Sequence, residues 1–146
     1  MTDKPKSSGR VDIHAHFVPD FYRSALIEAG HARPDGMPGI PEWTPEAALA
    51  FMDGLSIGKA ILSISSPGVH FGDDLSAADL ARAVNAEGAR LRREYPDRFG
   101  FFAALPLPDV QRSVAEAVHA LGELEANLAL DIGISVDPRD VGALLL

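Results

Sequence analysis

A carboxylate and two imidazoles alternate near the start of the chain, at Asp12, His14 and His16. The residues between them are apolar: Val11, Ile13 and Ala15. Side chains of a β-strand point alternately to its two faces, so this segment predicts one apolar face and one face that carries Asp12, His14 and His16. Residues at i and i+2 of a strand have Cα atoms about 6.5–7 Å apart. Both rings can then bind one divalent ion at about 2.0–2.1 Å.

A chance origin of the His-x-His spacing is the alternative. The chain has five histidines, and this spacing then arises somewhere in roughly one such sequence in six. The surrounding pattern favours the metal site, because buried polar groups need partners and a strand with one strongly polar face makes little sense as core. We therefore predict a metal site with His14, His16 and Asp12 as ligands.

Composition excludes several classes of protein. The chain has no cysteine, so a bound ion takes nitrogen and oxygen ligands, and the composition suits a reducing compartment. A net charge of −8 without a basic cluster argues against a nucleic-acid partner. Neither a signal-peptide core nor an apolar run of about 18 residues is present. We predict a soluble, cytoplasmic protein with no membrane partner.

Strands and helices are predicted to alternate after a polar leader at residues 1–9, which is expected to be disordered. The domain is predicted to span residues 10–146. Hydrophobic periodicity and capping residues predict strands at 11–16, 59–65, 101–105 and 128–136, and helices at 20–29, 44–52, 74–95 and 110–126. This alternation is typical of consecutive βαβ units that form a parallel sheet.

Residues 12–19, with the pattern Asp-x-His-x-His-Phe-x-Pro, resemble the first barrel strand of the amidohydrolase superfamily. The similar branch is the amidohydrolase-related one that includes aminocarboxymuconate-semialdehyde decarboxylase. Further segments similar in kind and spacing follow in order: Trp43-Thr44-Pro45-Glu46, Ser66-Pro67-Gly68, Asn85, 96–100 and 105–109. The resemblance covers residues 10–126 or so.

The resemblance implies that His14 and His16 bind a catalytic divalent ion, commonly zinc. In some decarboxylase relatives an acid at the position of Asp12 joins them, and its alternative role is to orient a neighbouring imidazole. The family's further histidine ligand, catalytic histidine and aspartate lie on strands five, six and eight. These strands are not expected in this chain, so no catalytic residue is assigned.

Length limits the implied fold. A complete TIM-type barrel typically takes about 250 residues, whereas this chain has 146. We therefore predict an α/β fold comprising the N-terminal portion, three to four βα units, of an incomplete (β/α)8 barrel. A flavodoxin-like binding domain also alternates strand and helix, but the chain lacks a glycine-rich phosphate loop after its first strand.

His70 is the predicted substrate-binding residue. It lies on the connection that leaves the second predicted strand, at the same sheet edge as His14. A solvated loop histidine with no contact to substrate is the alternative.

The resemblance implies a metal-dependent hydrolase or non-oxidative decarboxylase that acts on a small carboxylated or aromatic substrate, with this chain a truncated form. The alternative is a non-catalytic half-barrel that needs a partner or a second copy to fold. An open parallel sheet exposes an edge and apolar side chains. We therefore expect oligomers or a loosely packed state, with side chains in 101–105 and at Ile61 or Leu62 lacking neighbours.

Overall fold

Four parallel strands form one sheet in the computed structural model, which describes residues 9–129. The strands lie side by side in chain order: β1 (Val11–His16), β2 (Lys59–Ser63), β3 (Phe99–Ala103) and β4 (Leu128–Ala129). The helices are α1 (Asp20–Glu28), α2 (Pro45–Gly54), α3 (Asp74–Glu94) and α4 (Val110–Gly122). The predicted βαβ order is confirmed. The leader before Gly9 and the predicted strand beyond Ala129 lie outside the described residues.

Side-chain oxygens cap the N-termini of three of the helices. The Thr44 hydroxyl accepts a hydrogen bond from the Ala47 N–H at 3.1 Å, and Pro45 takes the first helical position of α2, as the sequence predicts. Asp73 and Asp109 play the same part for α3 and α4. These caps satisfy backbone donors that a helix leaves without an internal partner.

Strand β3 begins two residues earlier than predicted, and two of its aromatic side chains, Phe99 and Phe101, are buried. Phe99 pairs with Ala60 and Phe101 with Leu62 across the β2–β3 ladder, so these four side chains share one face of the sheet. All four belong to the hydrophobic core. The expectation that side chains of this strand and Leu62 lack neighbours is therefore wrong for Phe101 and Leu62, whereas Phe102 is only half-buried.

Ile61 is also buried, although it lies on the opposite face of β2. A Cβ atom at Gly100, its register partner on β3, would lie 2.8 Å from Ile61 Cδ1 and 2.3 Å from Asn127 Oδ1. The missing side chain at Gly100 thus leaves room for both groups. Glycine is favoured at position 100 because of this close packing and not because of its backbone conformation.

A buried polar network ties α3 and α4 to the end of β3. Asn85 is fully buried, and its Nδ2 donates to the Ala104 carbonyl at 2.9 Å and to Glu116 Oε1 at 2.7 Å. Its Oδ1 accepts from the Ala104 N–H at 2.7 Å. Arg82 donates to the other oxygen of Glu116 at 2.7 Å. Each buried polar group thereby gains the partner that burial requires.

The outer edge of β1 is open among the described residues. Val11 is 54% exposed and Ile13 67% exposed, so the apolar face predicted for this strand is not covered at these two positions. Ala15 alone of the three packs against the core. The reason is position, because β1 ends the sheet and pairs with β2 on one side only.

None of the helices within residues 9–129 is long and apolar enough to cross a membrane.

Gly88 is where α3 approaches β3 most tightly, and this contact generates a stability prediction. A Cβ at Gly88 would lie 2.7 Å from Phe101 Cδ2 and Cγ, and Phe101 is fully buried. For Gly88→Ala we expect a loss of about 1–2 kcal/mol in the free energy of unfolding, because overpacking outweighs the gain in helix propensity. Denaturant unfolding measures it.

Gly54→Ala is the matched control, because a Cβ there meets no described atom within 4 Å. We expect the control to keep or raise stability, by at most about 1 kcal/mol. Equal stability of Gly88→Ala and wild type would contradict the packing of α3 on Phe101.

Candidate metal centre

Two imidazoles converge at the carboxyl end of β1. The Nε2 atoms of His14 and His16 lie 3.1 Å apart, and the ring centroids are separated by 4.9 Å at an interplanar angle of 76°. His16 is partly buried and His14 is exposed. The sequence-based prediction that both rings project from one side of a strand and converge is confirmed.

The spacing of these nitrogens suits a shared ion. Two nitrogens that each lie about 2.0–2.1 Å from one ion are about 2.9 Å apart at a right angle and about 3.3 Å apart at the tetrahedral angle. The observed separation of 3.1 Å falls between these values. The distance between the two nitrogens therefore suits one divalent ion, and nitrogen donors suit zinc and other first-row metals.

Ser63 contacts the far side of the His16 ring. His16 Nδ1 lies 3.3 Å from the Ser63 carbonyl oxygen and 3.2 Å from the Ser63 hydroxyl. The two residues are register partners on β1 and β2, so their side chains share a face of the sheet. Such a contact behind a ligating nitrogen is what orients imidazoles at metal sites.

Asp12 does not share that face. The β1–β2 register shifts between Asp12, which pairs with Ala60, and Ala15, which pairs with Leu62, so three steps of β1 span two of β2. His16 pairs with Ser63, three residues after Ala60, and alternation then sets Asp12 and His16 on opposite faces. The predicted strict alternation of 11–16 is wrong at this bulge.

The Asp12 carboxylate has a backbone partner at the bulge. Its Oδ1 accepts a hydrogen bond from the His14 N–H at 2.9 Å. A bulge leaves a residue out of the strand ladder, and this bond satisfies the donor of such a residue. Within residues 9–129, no group of three or more His, Cys, Asp or Glu side chains is placed to hold a metal ion. The described centre thus consists of the two histidines.

His70 lies on the connection between β2 and α3, before the helix begins, and is engaged locally. Its Nε2 lies 2.8 Å from Asp74 Oδ1, and its Nδ1 accepts from the Gly72 N–H at 3.3 Å. Next to it, hydrogen bonds from the Ser76 hydroxyl and N–H lower the pKa of Asp73. Binding of substrate by His70 stays a prediction, and it requires that the bond to Asp74 be exchanged.

Helix α1 holds the β2–α3 connection in place. The buried Tyr22 hydroxyl donates to the Gly68 carbonyl at 2.7 Å and lies 3.2 Å from the Ser65 carbonyl. Burial raises the pKa of this phenol above its usual range, so it stays a neutral donor. The backbone that follows β2 is thereby tied to α1.

A cavity of about 390 Å³ opens between β1 and α2. Its walls include Asp12, both histidines, Trp43, Phe51 and Met52, together with the core residues Ala60, Leu62 and Phe99. Most of these side chains are apolar, and those of the core residues lie on the helix-facing side of the sheet. The cavity is therefore a gap between the open edge strand and the helix.

Sequence patterns alone did not single out Ser63. It sits in an apolar strand segment, Lys59–Ser63, and resembles an ordinary strand residue. Its contact with His16 depends on the β1–β2 register and on the bulge, which are tertiary features. A polar residue at the end of a predicted buried strand is the one signal that marks such a position.

The amidohydrolase family model matches residues 11–139. Among curated proteins, a decarboxylase of Aspergillus niger, yanB, is 41% identical over 138 residues, which are 91% of this chain and 36% of that protein. The 6-methylsalicylic acid decarboxylase acuB of Aspergillus aculeatus is 39% identical over 120 residues, covering 81% of this chain and 36% of the relative.

Solved structures show the same relationship. An amidohydrolase II crystal structure has a TM-score of 0.80 and 38% identity, covering 84% of this chain and 40% of the other. A dihydroxybenzoic acid decarboxylase from Polaromonas sp. JS666, with bound manganese and the inhibitor 2-nitroresorcinol, has a TM-score of 0.67 and 26% identity. It covers 88% of this chain and 41% of that one.

The chain spans 36% of the length of the two curated relatives. Its structural neighbours are TIM-barrel amidohydrolases, so the four-stranded sheet is a partial barrel, as predicted. Three observations agree on the family: the histidine pair on its bulged strand, the parallel sheet and the match to the family model. The chain belongs to the amidohydrolase family, and its homologues are decarboxylases of that superfamily.

Proposed function

We propose that this chain carries the first two metal ligands of a non-oxidative decarboxylase and forms the N-terminal part of that enzyme. The observation that carries the proposal is the histidine pair, with Nε2 atoms 3.1 Å apart and His16 Nδ1 in contact with Ser63. Converging imidazole nitrogens backed by an oriented contact are the arrangement that a divalent ion requires.

The substrate class is a small hydroxylated aromatic carboxylic acid. Two relatives support it, because one is named for 6-methylsalicylic acid and one for dihydroxybenzoic acid. Decarboxylation breaks the bond between the ring and the carboxylate carbon, releases carbon dioxide and places a proton on that ring carbon. Hydrolysis is the less supported reaction, since these relatives are decarboxylases.

A bound divalent ion would polarise a substrate oxygen and stabilise negative charge during the reaction. His14 and His16 present the nitrogens that hold it, and Asp12 either joins them as a third ligand or keeps the bulge that aims His14. Zinc remains our prediction, and manganese, which is bound in the Polaromonas enzyme, is the competing ion. Both are tested below.

Replacing His14 or His16 by alanine should abolish saturable binding of zinc and manganese, because each variant removes one of two converging nitrogens. Isothermal titration of the metal-free chain with each ion measures this. His119→Ala is the control, since His119 lies on α4 and pairs with Glu123. Unchanged affinity in both His14→Ala and His16→Ala would contradict the metal centre.

The same titration separates the two roles of Asp12. Asp12→Asn keeps an oxygen that accepts the His14 N–H but loses the negative charge. If Asp12 is a ligand, the affinity of Asp12→Asn falls well below that of wild type. If it only holds the bulge, Asp12→Asn binds as wild type does, whereas Asp12→Ala weakens binding.

The purified chain supplied with zinc or manganese should show no measurable turnover of 6-methylsalicylic acid, a dihydroxybenzoic acid or simple amides. The described residues provide two ligands and no assigned proton donor, and loss of such groups costs orders of magnitude in rate. Release of carbon dioxide or ammonia is the measurement. Turnover that disappears in His14→Ala would show that the chain is a complete enzyme.

A second candidate function is a non-catalytic half-barrel that docks on another copy of itself. It is favoured by three exposed apolar side chains, Val11 and Ile13 on the edge strand β1 and Phe51 on α2. Phe51 is 66% exposed, so all three are large apolar side chains open to water. Exposed apolar patches beside an unpaired strand edge recruit partners.

We expect the purified chain to associate in a concentration-dependent way through the open edge of β1. Sedimentation velocity measures the association, and Ile13→Lys should weaken it because a charge on the strand edge opposes pairing. Glu28→Lys, on exposed α1, is the control. A clean monomer with a sharp, cooperative thermal transition would contradict this candidate.

A further inference from the structure

The contacts of Ser63 favour one tautomer of the His16 ring. A carbonyl oxygen can only accept a hydrogen bond, so the 3.3 Å approach of the Ser63 carbonyl to His16 Nδ1 favours hydrogen on Nδ1. The Ser63 hydroxyl, 3.2 Å from the same nitrogen, then accepts as well. A neutral imidazole carries one N–H, so Nε2 of His16 bears a lone pair.

The contact between the two rings agrees with this assignment. With a lone pair on His16 Nε2, the 3.1 Å Nε2–Nε2 approach requires that His14 donate from its own Nε2–H. In this arrangement the two histidines have opposite tautomers, with hydrogen on Nδ1 of His16 and on Nε2 of His14.

Ser63 itself is held firmly. It is 5% exposed, and its carbonyl also accepts the ladder hydrogen bond from the Phe17 N–H at 3.0 Å. Its register pairing with His16 keeps its hydroxyl beside the imidazole, because paired residues of adjacent strands lie close on one face. The hydroxyl therefore has a fixed position from which to orient the ring.

We propose that Ser63 is a positioning residue, which receives the Nδ1–H of His16 on its carbonyl and hydroxyl oxygens and so keeps the Nε2 lone pair directed towards His14. The role in metal binding rests on the proposed function, but the tautomer does not. Ser63 touches neither the ion nor the substrate, and it acts through His16 alone.

The test is ¹⁵N NMR of the imidazole nitrogens in the metal-free full chain, at a pH that keeps the rings neutral. We expect a protonated Nδ1 and an unprotonated Nε2 for His16, and the reverse for His14. In Ser63→Ala the carbonyl remains, so we expect a mixture of His16 tautomers and about a tenfold loss of manganese or zinc affinity, the lower end for such contacts. Ser63→Thr, which keeps the hydroxyl, should restore both.

Ser65→Ala is the matched control, because the contacts of Ser65 with Tyr22 and Gly68 run through its backbone carbonyl. A protonated Nε2 on His16 in the wild type would overturn the proposal. So would a Ser63→Ala chain with unchanged tautomer and affinity, given a wild-type melting temperature. If the wild type has the expected tautomers but binds neither ion, the positioning role stands and the proposed metal function fails.

Discussion

The pairing of β1 with β2 is the constraint on which the candidate site depends. Its bulge shifts Asp12 out of register with the histidines, and its register sets His16 beside Ser63. The Asp12 carboxylate then holds the backbone N–H of His14. The placement of Asp12 relative to the two rings is therefore a property of the sheet and not of the sequence spacing alone. A regular strand would have carried Asp12 on the same face as the histidines.

The remainder of the fold keeps this pairing rigid. Phe99 and Phe101 pack under α3, where Gly88 admits the ring of Phe101. Asn85 and Glu116 join α3 and α4 to the residue that follows β3. Dense packing and satisfied buried polar groups favour a single arrangement of the core. The ends of the strands are therefore held in fixed positions relative to one another. Tyr22 extends that support to the connection after β2.

Local chemistry made much of this predictable. The Thr44-Pro45 cap, the alternation of elements and the histidine pair all follow from periodicity and side-chain type. The bulge at Asp12, the earlier start of β3 and the part played by Ser63 did not follow, because each depends on which strand lies alongside. The exposure of Val11 and Ile13 reflects the same limit, since a strand's own sequence does not reveal whether it ends a sheet.

Half of the anchor on His16 is a main-chain atom. The carbonyl is present whichever residue occupies position 63. A substitution there can therefore weaken the contacts of the His16 imidazole but does not remove this one. The contact that holds the His14 backbone comes from a side chain instead, because its N–H donates to the Asp12 carboxylate. Substitutions at position 12 can therefore remove a contact of His14 outright, whereas substitutions at position 63 always leave one contact of His16 in place.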